Sequence, residues 1–564
     1  MNMHVAVKEE TLVHRLQHWA QRIPNRIYMT QPMPDGSVIT ITWGEAWHQA
    51  RCFAAWLQAQ NLPKGSAIGL LGRNSAHWIL ADMGIWLAGY VTVPLYPTLN
   101  AETANYIIKH SEIKLMILGK LDGINDSWNQ IKDKLPTKLP MVGLPLSPSM
   151  NIPQWNSIMR TQIPLGRIVF PKMNQLATIV YTSGSTGRPK GVMHSFGSMI
   201  AVCHSFEQLY KLNSRDRMLS YLPLAHVAER AAVEATSLYF GIPVYFSQGL
   251  ETFLADLKRA RPTVFLSVPR LWTKFYLGIQ ETFPLRLQRI LFATPVLSRL
   301  LKRRILKELG MDAVRAAVTG SAPLPADIIQ WYRRLGLELL DCYGMSENFG
   351  TSHASRPGEV RIGYVGSTVP GVKCRLSPEG EILVRSPGQM MGYYKDPQKT
   401  AEEITADGYF HTGDRGEIDR KGRLRITGRV KEIFKTSKGK YVAPVPIEQL
   451  LGNHPQIEIA CVTGPENPQP FALVILGDKV RYELNQGVVT RATLTTSLKQ
   501  LLKTVNQELE KHEQLDYLVV LKEVWTTENG FLTPTLKVRR SVVEDHFLPK
   551  AEIWRQQKQT VIWE

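Results

Sequence analysis

Between about Ser66 and Val180, short apolar runs alternate with amphipathic stretches. The runs are AIGLLG at Ala67–Gly72, VTVPLY at Val91–Tyr96, LMILG at Leu115–Gly119 and LATIVYT at Leu176–Thr182. Runs this short, with no polar alternation, read as strands buried on both faces, and the stretches between them predict α/β layers. Trp78–Tyr96 is the most apolar segment, but Asp82 and its glycines and proline suit a buried helix followed by a strand. No stretch reaches the ~18 uncharged apolar residues of a membrane span. A Pro-rich connector from Leu135 to Trp155 reads as an exposed surface loop. From Val365 the texture changes to short strands and turns: EILVRS at Glu381–Ser386, then Asp407–Arg429, where apolar runs are punctuated by DG, RG and KG. These predict hairpins of a β-rich subdomain. A basic segment starts at Val430, and the 135 residues from there suffice for a small α+β domain. The expected organisation is an α/β protein with a large multi-subdomain N-terminal domain, 1–429, and a small mobile α+β domain, 430–564.

Composition narrows the class. The chain has 564 residues, 44% hydrophobic and 21% charged, as ordinary globular proteins do. Lys+Arg number 67 against 49 Asp+Glu, a net charge of +18, which bears on partners rather than fold. Nucleic acid, an anionic membrane and polyanionic small molecules are the candidates. No helix–turn–helix, RNP or zinc pattern accompanies the charge, so nucleic acid is not expected. Five cysteines (Cys52, Cys203, Cys342, Cys374 and Cys461) are scattered and never form a CxxC pair. With no cationic lead and apolar core at the N-terminus, they point to a reducing, cytoplasmic setting.

The most informative segment is YTSGSTGRPKG, Tyr181–Gly191, directly after an apolar strand. Gly184 and Gly187 permit positive φ and close backbone approach. The hydroxyls of Thr182, Ser183, Ser185 and Thr186 and a run of N–H groups can surround a polyphosphate, and Lys190 supplies a point charge. A Walker A loop differs, because its lysine follows glycine immediately and precedes Ser/Thr.

This segment resembles the signature of the acyl-adenylate-forming (AMP-binding) superfamily, and the order of further motifs extends the resemblance from about Leu12 to Leu548. LPLAHVAER at Leu222–Arg230 and RPTVFLSVPRLWTKF at Arg261–Phe275 are most similar to long-chain and very-long-chain acyl-CoA synthetases. The resemblance implies that His226 lies beside the acyl carboxylate, and that TGSAPLP, with Gly320, Ser321 and Ala322, passes one face of the adenine. In DCYGMSE it implies that Asp341 meets the exocyclic amine, Tyr343 stacks on the base beside Gly344, Ser346 touches the α-phosphate, and Glu347, with Thr186, holds Mg²⁺. YFHTGD and GRVKE imply that Asp414 and Arg429, 15 residues apart, bind the ribose, with Lys431 as hinge. Gly439 would line the CoA channel, and Lys537 in FLTPTLKVRR would reach the carboxylate and α-phosphate during adenylation. Ser185, Ser346 and Glu432 replace a commoner Thr, Thr and Asp but keep the functional group.

The implied activity is ATP-dependent conversion of a fatty acid, of long chain by resemblance, to acyl-AMP and then acyl-CoA. Lys190, His226, Glu347 and Lys537 are the catalytic candidates, Mg²⁺ the cofactor, and ATP and CoA co-substrates. One alternative passes the acyl group to a free carrier protein or another acceptor; a more remote one is a non-catalytic acyl- or nucleotide-binding relative. The densest residual charge is Arg286–Lys307, with seven cations and no acid. It reads either as a solvated helix face or as a peripheral contact with anionic lipid at the inner face of a membrane. The pattern sets no oligomeric state, and a homodimer is compatible with it.

Overall fold

The computed structural model describes residues 10–124, 126–182, 188–284, 288, 295–527, 529–533 and 537–564. The chain divides into two compact units, the larger formed by residues up to 322, 328–374 and 384–410, the smaller by 323–327, 375–383 and 411–564.

The larger unit is built on a seven-stranded sheet in the spatial order Gly392–Tyr393, Lys190–Ser195, Leu176–Thr182, Val91–Leu95, Ala67–Leu71, Leu115–Leu118 and Met141–Gly143. Its central strands are buried at every position, which is why they carry unbroken apolar runs. Helix Ala76–Leu87 is buried on all sides and starts at Ser75, whose hydroxyl accepts from the Trp78 amide. The Pro-rich connector departs from expectation. Met141–Gly143 within it adds a parallel edge strand to Leu115–Leu118, and Val142 and Leu144 are buried. Three residues carry too little alternation to register as a strand, so the pairing is set by the neighbouring strand.

A second sheet places Val264–Ser267, Ala316–Gly320 and Leu339–Tyr343 in parallel, followed by the antiparallel strands His353–Ala354 and Ser367–Thr368. Parallel pairing brings the C-terminal ends of Ala316–Gly320 and Leu339–Tyr343 abreast, the usual place for a ligand in an α/β sheet. Among the described residues no helix is long and apolar enough to cross a membrane, and all five cysteines are free thiols.

Phe410–Ile418 and Leu424–Arg429 form an antiparallel hairpin that belongs to the smaller unit from His411 onward. Beyond it, Ile457–Thr463, Phe471–Leu476, Leu518–Val520 and Val561–Trp563 make a four-stranded sheet. Its two faces bury alternate residues. Ala472, Val474 and Leu476 join a cluster with Leu494, Leu498 and Leu502, whereas Phe471, Leu473 and Ile475 join one with Val543, Phe547 and Trp554.

Candidate active site

The antiparallel pair Leu176–Thr182 and Lys190–Ser195 puts Thr182 opposite Lys190, so the phosphate-type loop is the connection between two strands. Ser183, Gly184, Ser185, Thr186 and Gly187 lie outside the described residues. Lys190, which opens the second strand, has its Nζ 5.2 Å from the centre of the Tyr393 ring, and the Tyr393 hydroxyl donates to Glu347 Oε1 at 2.9 Å. An ammonium, an aromatic ring and a carboxylate therefore form one chain of contacts at the base of the loop. Burial pushes the half-buried Glu347 carboxyl up, against the pull of the Tyr393 hydroxyl and the Lys190 charge.

Tyr393 reaches this position because Gly392–Tyr393 is stitched to the sheet edge, Tyr393 opposite Val192, while the Tyr394 amide donates to Gly191 O at 2.7 Å. Nothing in the sequence pattern marks a two-residue strand, so Tyr393 escapes a motif reading. His194 escapes it too. It is fully buried and its Nε2 lies 2.7 Å from Ser346 O, tying the strand after the loop to the turn that carries Ser346 and Glu347. Burial lowers His194 to about 4, so the ring is neutral and donates through Nε2.

At the abreast strand ends, Gly320 faces Cys342, and a Cβ on Gly320 would fall 2.7 Å from the Cys342 sulfur. A Cβ on Gly344 would fall 2.2 Å from Gly350 O, a backbone approach open only to glycine. Ser321 has φ +73°, in the left-handed region, and both Ser321 and Ala322 are exposed. Asp341 is 8% exposed, and burial pushes its carboxyl up to about 7. Tyr343, also buried, lies with its ring centre 6.0 Å from that of His353. Ser346 and Glu347 share the one-turn helix Ser346–Asn348.

His226 caps the turn Val227–Glu229, its Nδ1 accepting from the Ala228 amide at 3.2 Å, which leaves the neutral ring's proton on Nε2. The wider π-helical turn Arg230–Ala235 follows. There the fully buried Arg230 bonds Asp82 at 2.6 Å and lies 5.3 Å and 5.7 Å from the ring centres of Trp78 and Trp86. Glu229, raised to about 8 by burial, accepts from Ser220 Oγ and the Tyr221 amide. The strand leading to His226 is thus anchored from below.

In the smaller unit Asp414 stands directly opposite Arg429 in the hairpin, and Arg429 Nε meets Asp414 Oδ1 at 3.0 Å. Lys431 is exposed in the one-turn helix Val430–Glu432. Gly439 has φ +76° in the turn joining Phe434–Lys435 to Tyr441–Val442, and its amide donates to Thr436 O at 2.9 Å. Lys537 is exposed on an antiparallel strip, with its carbonyl accepting from the Thr533 amide and its amide donating to Thr533 Oγ1. The larger unit therefore brings Lys190, Glu347, Ser346, Asp341, Tyr343 and Gly320 onto adjoining strands and turns. The smaller unit carries Asp414, Arg429, Lys431, Gly439 and Lys537.

Comparison with known proteins accords with this distribution. Residues 16–394 match the family described as AMP-binding enzyme, and residues 431–553 match the AMP-binding enzyme C-terminal domain. The chain is 30% identical to the long-chain-fatty-acid–CoA ligase FadD15 of Mycobacterium tuberculosis, with 93% of each chain covered. It is 30% identical to the peroxisomal long chain acyl-CoA synthetase 6 of Arabidopsis thaliana, over 95% of this chain and 85% of the relative. Among solved structures, the A domain of a carboxylic acid reductase from Segniliparus rugosus, in complex with AMP, superposes with a TM-score of 0.80 at 21% identity, covering 98% and 95% of the two chains. The O-succinylbenzoate coenzyme A synthetase of Bacillus subtilis, in complex with ATP and magnesium ion, has a TM-score of 0.74 at 21% identity, covering 94% and 99%. With both of its parts matched, the chain belongs to the AMP-binding enzyme family.

Proposed function

We propose that this protein activates a long-chain fatty acid with ATP, forming acyl-AMP and pyrophosphate, and then transfers the acyl group to CoA with release of AMP. The observation that carries the reading is the Lys190–Tyr393–Glu347 contact chain at the foot of the loop. It occurs in a chain whose relatives over nine-tenths of its length are named long-chain-fatty-acid–CoA ligases. In the first half-reaction a carboxylate oxygen attacks the α-phosphorus and the bond to pyrophosphate breaks, so the protein must gather anions and hold them in line. Lys190 and the loop hydroxyls would meet the outer phosphates, Ser346 the α-phosphate, Asp341 and Tyr343 the adenine alongside Gly320, Ser321 and Ala322, and Asp414 with Arg429 the ribose. His226 would orient the acyl carboxylate, and Lys537 would screen its approach to the α-phosphate.

A half-buried carboxylate with one oxygen engaged fits Mg²⁺, which takes one or two protein carboxylates and fills its shell with phosphate oxygens and water. Glu347, with Thr186, would hold the ion, which supplies charge neutralisation on the phosphates. In the second half-reaction the CoA thiolate attacks the acyl carbon and the bond to AMP breaks. Domain 430–564 would turn about Lys431 between the two, exchanging Lys537 for the loop at Gly439. A cytoplasmic enzyme touching an anionic membrane through the cationic face of helix Pro295–Glu308 completes the reading.

AMP release with saturated acids from C2 to C24, with CoA present, tests it. A maximum among the long acids that requires CoA is expected. Turnover only when holo-carrier protein replaces CoA would reassign the acceptor, and no carboxylate-dependent ATP–pyrophosphate exchange with any acid would reject adenylation.

A further inference from the structure

Arg540 lies three residues beyond Lys537, and its side chain is only 11% exposed. Its guanidinium engages three separate segments of the smaller unit. Nη2 donates to Glu448 Oε1 at 2.6 Å on helix Pro444–Gly452, and Nη1 donates to Val462 O at 2.5 Å on strand Ile457–Thr463. Nε reaches Glu432 Oε2 at 3.4 Å, in the turn that also contains Lys431. Glu448 Oε1 accepts from the Val462 amide as well, so the helix and the strand are already locked together where Arg540 joins them.

Toward Lys537 the chain is equally constrained. The Arg539 amide donates to Phe531 O, the Thr533 amide to Lys537 O, and Leu532 pairs with Val538. Beyond Arg540, Glu544 accepts from Thr463 Oγ1 at 2.7 Å, pinning helix Arg540–Phe547 to the same strand. Lys537, Arg540 and the end of the Val430–Glu432 turn are therefore parts of one braced body, and Glu432 is the point at which the turn enters it.

The geometry points to Arg540 as a positioning residue that, through Glu432, couples rotation of the 430–432 turn to the placement of Lys537. This rests on the proposed two-step reaction. The tie matters in the half-reaction that needs Lys537 and is idle in the one that does not. Its effect therefore differs from that of a stability bridge, whose loss would slow both halves alike.

Removing Arg540 would strand Glu448, a half-buried acid left without its cation, and the variant can fail to fold for that reason alone. Glu432→Ala is the cleaner probe, because Glu432 is more exposed, at 29%, and its loss leaves the Arg540–Glu448–Val462 contacts in place. The full-length Glu432→Ala enzyme is expected to lose about tenfold in acid-dependent ATP–pyrophosphate exchange, the factor for one charge-assisted contact. Thioesterification of supplied acyl-AMP should stay within about twofold of the parent. An unchanged adenylation rate, or equal loss in both halves, overturns the coupling.

Amide hydrogen exchange of the unliganded protein reads the same tie without substrate. Faster exchange at 430–435 in Glu432→Ala, with 540–547 unchanged, supports it, and unaltered exchange at 430–435 rejects it. Were the parent enzyme inactive with every acid, the proposed reaction would fall while the exchange measurement still judged the brace.

Discussion

Asp341 lies in the middle of the parallel strand Leu339–Tyr343, opposite Thr319, and burial carries its carboxyl from an ordinary 3.8 to about 7. Between those values the folded chain keeps a proton that the unfolded chain has released. This group's stabilising contribution is thus complete below about pH 4, declines as pH rises through 7, and is flat beyond. That displacement corresponds to at most about 4 kcal/mol. Asp341→Asn removes the titration, so thermal melts of the unliganded protein should show the variant gaining stability over the parent at pH 8 and matching it near pH 4. A constant offset at both values would remove Asp341 as the source. Tyr393 offers a second residue-scale test. Tyr393→Phe keeps the ring beside Lys190 but deletes the 2.9 Å bond to Glu347. A hydrogen bond to a charged group is worth about 1.5–3 kcal/mol, so pyrophosphate exchange should fall about ten- to a hundredfold at limiting MgATP. An unaffected rate would separate the tyrosine from the role proposed for the Glu347 carboxylate.

At the scale of elements, what could be read in advance depended on how locally each structure is determined. The Leu176–Thr182 strand coincides with its apolar run because a strand covered on both faces needs apolar residues at every position. Asp414 and Arg429 pair in a hairpin whose KG turn is legible, although an irregularity between Arg415 and Gly416 shifts the register before the pair is reached. By contrast, the Met141–Gly143 strand, the Gly392–Tyr393 edge and the π-helical turn at Arg230 exist only through contacts with distant segments. No period could disclose them, and Tyr393, His194 and Arg540 stayed hidden with them. Lys537 is the converse case. Its motif is legible, while the strip that carries it is braced by main-chain bonds to Phe531 and Thr533. Because that strip serves adenylation alone in the proposed cycle, Lys537→Ala should abolish adenylate formation while sparing thioesterification of supplied acyl-AMP. Single-turnover assays of each half decide this, and equal loss of both would contradict it.

Over the whole molecule a net charge of +18 exceeds the four cations, Lys190, Arg429, Lys431 and Lys537, that the proposed reaction assigns to ATP, CoA and pyrophosphate. Helix Pro295–Glu308 shows how part of the remainder is displayed. Ser298 and Ile305 turn inward, whereas Arg299, Leu300, Arg303, Arg304 and Lys307 are exposed, Leu300 at 65%. The helix's one acid, Glu308, is paired with Lys258 at 2.7 Å, and among the described residues those four cations form no ion pair. The expected segment also includes 286–294, of which only Gln288 is described. A cationic stripe with an exposed leucine suits an anionic bilayer better than a nucleic-acid groove, because lipid accepts the leucine as well as the charge. Each cation near such a surface contributes about 1 kcal/mol, so four suffice for reversible association but not for anchoring. The protein should sediment with phosphatidylglycerol-containing vesicles at low ionic strength. It should be released near 1 M salt, where the screening length falls to about 3 Å. Replacing Arg299, Arg303, Arg304 and Lys307 together by glutamine should abolish sedimentation and leave pyrophosphate exchange intact. Absence of binding at low salt, or binding that survives the fourfold replacement, would return this face to the role of an ordinary solvated helix.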